Sequence, residues 1–286
     1  MRRILIILTF LALMILPVSR CQHLSRQQAL YKYYFPIATY TANPKRGVGL
    51  TYPHCEDIQA VGASWQYNWS FAPVNCTGED VPMVWGVPQM ELLRRGRQIG
   101  GDSSWLMGFN EPDLSDQARM TPEEAAAAWH WLEAQYPGKL LISPAPSHLH
   151  PEWLPQFRAA YVVAYGRPPR LDALAMHCYY PTAEECITLA QRFVGWADEW
   201  DVTGGVWVTE FAFPACYCGG QVAGLREAQE FIAWMDLEPA IARYAWFSSR
   251  QQGNEWWSFR WAECRTPLFD FETGALTVWG QMYSGQ

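Results

Sequence analysis

Half of the 286 residues are hydrophobic and 17% are charged, which excludes a disordered or fibrous chain and leaves room for one large core. The formal charge of −7, with no long basic run, argues against a nucleic-acid or other polyanion partner. The 16 Trp and 14 Tyr exceed what packing alone requires; most serve as large core residues, but flat rings in a cleft also suit the apolar faces of sugars.

Arg2 and Arg3 stand ahead of an apolar run over residues 4–16 that Pro17 ends. This is the pattern of a secretory signal peptide, expected over residues 1–20, and it is short for a membrane span. The protein is therefore expected outside the cell, with no stable membrane insertion after cleavage. Arg20 is too large and too charged to precede a lipoprotein cysteine, so anchoring through Cys21 is the weaker reading. Residues 21–45, with an aromatic cluster from Tyr31 to Phe35, have no clean period and read as a linker.

From Arg46 the pattern becomes regular. Runs at 47–51, 63–69 and 81–86 read as three short strands, and residues 91–98 as a polar helix behind the third. A fourth strand covers 104–110, and Pro112 denies the next residue a ladder N–H, so it stops there. Thr121-Pro122-Glu123-Glu124 opens a helix, with Thr at the N-cap, Pro at the first helical position and Glu three on; Pro137-Gly138 closes it. The fifth strand is expected at 139–143 and a helix at 153–165. The sixth strand, 171–177, leads to a helix over 183–200. The seventh, 205–211, leads to a helix over 225–235, and the eighth is 242–247. A closing helix is expected at 277–283.

Eight strands separated by helical or irregular segments make the α/β inventory of a (β/α)8 TIM barrel, a single domain over residues 46–286. The first three connections are short or poorly helical, so the outer ring of helices is expected to be incomplete. Two strands deliver a carboxylate at their C-terminal tips, Glu111 after the fourth and Glu210 on the seventh. Active sites of parallel α/β folds lie at those tips. Two glutamates facing each other across a barrel mouth are the reagents of a retaining glycosidase, which needs its carboxyl groups about 5–5.5 Å apart.

Eight cysteines fit an exported protein. Cys55 with Cys76 and Cys178 with Cys186 are plausible local pairs, but the sequence does not fix connectivity. Cys216-Tyr217-Cys218, even joined by His177, His148 or His150, lacks the paired spacing of a structural zinc site. Asp113 and Asp116 read as a solvated loop rather than calcium ligands. Neither a metal nor a cofactor is expected.

Gly-Phe-Asn-Glu-Pro-Asp at 108–113, Val-Thr-Glu-Phe-Ala at 208–212 and Tyr-Asn-Trp at 67–69 resemble glycoside hydrolase family 128, of the large clan of (β/α)8 retaining glycosidases. Asn-Glu-Pro alone recurs across the clan; the order and spacing of all three stretches carry the resemblance. It implies an endo-acting β-1,3-glucanase with Glu111 as acid/base and Glu210 as nucleophile. It further implies that Asn110 bonds a sugar hydroxyl beside the reacting carbon, although a turn-favouring Asn before Glu-Pro has the same sequence. His177 and Tyr179, past strand six, are expected to touch the nucleophile; a buried structural histidine is the other reading of His177. Cys178 and Tyr180 depart from the Trp and Gly expected there. Trp246, ending strand eight, is expected as the platform under the reacting sugar, with Tyr67, Asn68 and Trp69 lining neighbouring subsites. Trp256, Trp257 and Trp261 either extend the cleft or pack elsewhere. The implied partner is a β-glucan polysaccharide or oligosaccharide, bound by a monomer. A β-1,4-glucan or mannan substrate, or an exported polysaccharide-binding protein without chemistry, are the alternatives, because loops set specificity.

Overall fold

Short strands with both faces apolar are stable only where something covers each face, and a parallel α/β barrel provides that cover. In the computed structural model, which describes residues 43–253 and 264–285, every residue of β6 (Leu174–Cys178) and β7 (Val206–Phe211) is buried. The other strands are β1 (Arg46–Gly49), β2 (Trp65–Tyr67), β3 (Glu79–Asp80), β4 (Trp105–Met107), β5 (Leu140–Ile142) and β8 (Ile241–Trp246). All strand pairs are parallel, in a six-stranded sheet of order β3-β2-β1-β8-β7-β6 and a two-stranded sheet of β4 and β5. Single parallel bridges, Met83 with Met107 and Ile142 with Ala173, link the two sheets at both seams. The neighbours thus follow one another in chain order, as in a (β/α)8 barrel.

The third strand departs from the expected 81–86. Only Glu79 and Asp80 pair with β2. Pro82 has no N–H to continue that ladder, and the chain turns instead toward β4. There the Pro82 carbonyl accepts from Met107 N, and Val84 N donates to Met107 O, both at 2.9 Å. The helix behind it also lies earlier than expected, as α2 (Val87–Arg94), because Pro88 fits a first turn better than a helix interior. Two further short helices, α1 (Cys55–Ala60) and α6 (Ala215–Cys218), are too brief to show a helical period in the sequence. With a six-residue α1 and no helix between β2 and β3, the outer ring is incomplete in its first units.

The remaining helices fall close to their expected positions: α3 (Pro122–Gln135), α4 (Trp153–Tyr165), α5 (Ala183–Glu199), α7 (Gln221–Leu237) and α8 (Val278–Ser284). The α3 capping box forms as read, Thr121 Oγ1 accepting from Glu124 N and Glu124 Oε2 from Thr121 N. Gly166, in the left-handed region at φ 67°, ends α4.

Two cores result. One fills the layer between strands and helices, and includes Phe109, Trp129, Phe211, Tyr244 and Trp246. The other lies inside the barrel and is built from Trp65, Tyr67, Met83, Met107, Ile142 and Trp207. The N-terminal mouth is stoppered by Arg243, whose guanidinium carbon sits 4.4 Å from the Trp207 ring centroid and 5.7 Å from that of Trp65. Glu79 pairs with the same guanidinium at 2.6 Å and also accepts from Ser103 Oγ.

Cys55–Cys76 and Cys178–Cys186 are disulfides, as the local pairing suggested, and a third joins Cys216 to Cys264. Among the described residues no helix is long and apolar enough to cross a membrane. The expected signal peptide, the lipidation reading at Cys21, and Trp256, Trp257 and Trp261 lie outside the described residues.

Candidate active site

Alternation along each strand decides which side chains enter the barrel. On β8, Ala245 faces the interior while Tyr244 and Trp246 face the helices. On β6, Ala175 points inward and Met176 outward, which brings His177 inward. On β7, Trp207 is inward but Val208 and Phe211 both face outward. Two outward positions three residues apart require a break in the period of two. The register shift between Val208 and Phe211 supplies it and turns Glu210 into the mouth.

Glu210, 4% exposed, is surrounded by donors. Trp69 Nε1 donates to Oε1 at 2.7 Å and Tyr179 OH to Oε2 at 2.6 Å. Tyr67 OH donates to Thr209 O at 2.8 Å and lies 3.4 Å from Glu210 Oε1. Burial raises the Glu210 pKa above the ordinary 4.5; the charge of His177 and the Tyr179 and Trp69 bonds offset part of that rise. A carboxylate held by this many hydrogen bonds is fixed in orientation as well as in charge.

Glu111 is the residue before Pro112, where the α conformation is disfavoured, and its backbone lies in the left-handed region at φ 41°. Its N–H donates to Ala145 O at 2.8 Å, which holds that turn against β5. Such a conformation costs on the order of 1–3 kcal/mol, and residues that keep it cluster at functional sites. Trp69 shares the feature at φ 56° and also lines the cleft. Gly108 permits the approach: a Cβ there would lie 2.7 Å from the Trp129 ring and 2.8 Å from Pro144 N.

His177 joins the two carboxylates. Its Nδ1 is 3.0 Å from Glu111 Oε1 and 3.4 Å from Glu210 Oε2, and the imidazole is fully buried. Burial lowers its pKa, but the two carboxylates outweigh that effect, so the net shift is upward. One ligand atom from each of Glu111, His177 and Glu210 lies within 4.8 Å of the others, close enough to hold a cation. The surrounding groups fit a shared proton better, since Trp69 and Tyr179 aim N–H and O–H at Glu210 and His177 Nδ1 lies between the carboxylates.

These groups form the floor of a cleft of about 960 Å3. Its lining includes Asn68, Trp69, Asn110, Glu111, Tyr179 and Glu210 from the expected set. Asn110 Nδ2 donates to Gln117 Oε1 at 3.3 Å, and its Oδ1 has no partner. Three expectations are corrected. Trp246 is fully buried, donates from Nε1 to Thr266 O and packs on Trp279 and Tyr283, so it is a core residue. Phe247, one position on and of the inward parity, lines the cleft instead. Tyr67 and His177 are also sealed from the cleft and support the glutamates from below.

The sequence reading missed Trp85, Gln117, His148 and Phe247, all in the lining. Phe247 was open to discovery by counting inward positions from Ala245. The others sit on loops, where no period exists to read.

A parallel barrel with two buried glutamates at its C-terminal mouth, one ringed by hydrogen-bond donors and one before a proline, is the architecture of a glycoside hydrolase. The model of the glycosyl hydrolase catalytic core family matches residues 49–283, and the chain belongs to that family, in keeping with its resemblance to glycoside hydrolase family 128. Among similar solved structures is a family 128 (subgroup II) endo-β-1,3-glucanase from Pseudomonas viridiflava. It is 28% identical with a TM-score of 0.66, over 85% of this chain and 98% of that one. A curdlan-specific exo-β-1,3-glucanase of subgroup III from Blastomyces gilchristii, in complex with glucose, is 27% identical with a TM-score of 0.64, over 86% and 100%. A subgroup I endo-β-1,3-glucanase from Amycolatopsis mediterranei, in complex with laminaritriose, is 25% identical with a TM-score of 0.64, over 85% and 99%. The alkali-sensitive linkage protein 1 of Schizosaccharomyces pombe is 24% identical over 219 residues. That match takes in 71% of this chain but only 38% of the yeast protein's length.

Proposed function

We propose that the protein is a secreted, retaining endo-β-1,3-glucanase that works by double displacement, with residues 46–286 as its catalytic domain behind a signal peptide (1–20) and a linker (21–45). The carrying observation is the carboxylate spacing. One oxygen of Glu111 lies within 4.8 Å of one of Glu210. Inverting enzymes hold their carboxyl groups about 6.5–9.5 Å apart to seat a water, whereas retaining ones hold them at about 5–5.5 Å. Three disulfides among the described residues support an oxidising compartment.

In the first step Glu210 attacks the anomeric carbon while Glu111 gives a proton to the departing oxygen. In the second, water attacks the glycosyl–enzyme, its proton goes to Glu111, and Glu210 leaves as a carboxylate. Trp69 and Tyr179 orient the nucleophile, and the unpartnered Asn110 Oδ1 is the acceptor offered to a sugar hydroxyl next to the reacting carbon. Substrate class follows the three solved structures named above, each a β-1,3-glucanase, and both endo and exo modes occur among them.

The test is product analysis on laminarin and curdlan against carboxymethylcellulose and mannan, with the first-formed anomer read by NMR. Cleavage of the β-1,3-glucans to mixed oligosaccharides, released as the β-anomer, is expected. An α-anomer overturns the retaining mechanism, and cleavage of only a β-1,4-linked polymer overturns the substrate.

A pH profile with an acidic to neutral optimum is also expected. Glu210 must be ionised, and its raised pKa starts the acid loss above the ordinary 4.5. His177, raised above 6.5, keeps its proton beside the pair until the pH passes that higher value, which sets the alkaline loss. A rate still rising above about pH 9 contradicts this assignment.

A further inference from the structure

Four loops, beginning with the one after β4 that carries Asp113, join into one wall of the cleft. Ser147, after β5, donates from N to Asp113 Oδ1 at 2.8 Å and from Oγ to Oδ2. Tyr180, after β6, donates from OH to His148 O at 2.9 Å. Cys218 of α6, after β7, donates from Sγ to Pro181 O at 3.0 Å. The wall therefore presents His148 on a tethered turn rather than on a free loop.

His148 takes no part in the double displacement, yet the fold holds its ring in place. The imidazole packs edge-on against Tyr180 at 4.8 Å and Tyr179 at 5.8 Å between centroids. Its Nδ1 is buried without a partner, which leaves Nε2 as the edge available to the cleft that His148 lines. Burial lowers its pKa below 6.5, with Glu111 and Asp113 acting upward and His177 and His150 downward. A neutral imidazole in this setting suits a sugar hydroxyl, which can both donate and accept.

The chemistry fixes which sugar that is. Glu111 has to reach the glycosidic oxygen, and that oxygen leaves with the sugar on the reducing side. The leaving sugar must then lie on the Glu111 side of the mouth, where the loop after β5 meets the loop after β4 through Asp113 and Ser147. Trp69 and Phe247 pack together at 5.6 Å, and Trp69 donates to Glu210, so on the same reading they lie on the side of the sugar that becomes covalently held.

We propose that His148 is a specificity-determining residue for the leaving sugar, its Nε2 exchanging a hydrogen bond with a hydroxyl of the departing glucosyl unit. The same contact would receive an acceptor sugar in transglycosylation. There the acceptor hydroxyl oxygen bonds to the anomeric carbon, the bond to Glu210 breaks, and the hydroxyl proton goes to Glu111. The inference rests on the double-displacement reading above.

His148→Phe tests it, since the ring that packs on Tyr180 stays and the nitrogens go. kcat/KM is measured on laminaripentaose, whose leaving group is a sugar, and on a nitrophenyl β-laminaribioside, whose leaving group is not. The ratio of the two is expected to fall about tenfold, the worth of one lost hydrogen bond, and transglycosylation onto added laminaribiose to fall with it. His148→Gln, which restores a hydrogen-bonding group, is expected to recover part of the ratio. Equal losses on both substrates, or none, overturn the proposal. A wild type that cleaves neither substrate overturns the β-1,3-glucanase reading on which the proposal rests, so the two failures look different.

Discussion

Glu210→Gln is expected to lower turnover of β-1,3-glucan by about ten-thousand-fold or more while laminari-oligosaccharides still bind. The amide keeps the shape and can still accept at its oxygen, so the cleft keeps its form; what is lost, on the proposed mechanism, is the nucleophile. Glu111→Gln is expected to behave differently. On a sugar leaving group the loss of general acid catalysis costs about 10²–10⁴-fold. On a nitrophenyl glycoside, whose leaving group needs no proton, the first step should survive better and a glycosyl–enzyme should accumulate, detectable by mass spectrometry. Small azide restores turnover in a Glu210→Ala variant by attacking from the vacated face, giving the α-azide product. If both glutamine variants lost binding along with turnover, the two glutamates would be structural, and the mechanism would fall.

Asp57→Ala is expected to be the most destabilising single change away from the cleft. Asp57 on α1 accepts two bonds of 2.8 Å from Arg250, at Nε and Nη2, with the residues 1% and 5% exposed. Removing one partner of a buried, bidentate pair leaves the other charge without compensation, at a cost of about 3–5 kcal/mol. For a domain of this size that corresponds to a fall in Tm of about 10 °C. Arg250 also lies over the Phe269 ring at 5.6 Å, and its carbonyl accepts from Thr51 Oγ1, so the damage extends to residues next to the cleft. The double variant Asp57→Leu/Arg250→Met is expected to lose less than the sum of the single changes. Thermal melts of the four proteins in the cycle check this, and additive losses would show that the two residues act independently.

The two glutamates were legible because local rules mark them: a buried run that a proline must end, and a β-branched run ending in a carboxylate. Fold class followed from counting such runs. The failures have physical causes of the same size. Trp246 ends the eighth run and so reads as the platform, but parity along β8 from Ala245 sends it outward, and the next inward residue is Phe247. The inward turn of Glu210 depends on a register shift in β7 that no periodicity displays. The third strand changes partner at Pro82, a switch that depends on where β4 lies in space. His148 and Gln117 sit on loops whose approach to the cleft is set by tertiary bonds, Tyr180 to His148 O and Asn110 to Gln117. The third disulfide pairs cysteines 48 residues apart, and only the folded loops bring them together.

Among the described residues, Arg243, Trp65 and Trp207 close the N-terminal end of the barrel and leave the C-terminal mouth as the way in. A polysaccharide substrate of the kind proposed could not be threaded through such a vessel; it would be laid across the rim. Substrate, hydrolytic water and both fragments then share one opening, and the order in which they pass through it is left to the loops around that rim.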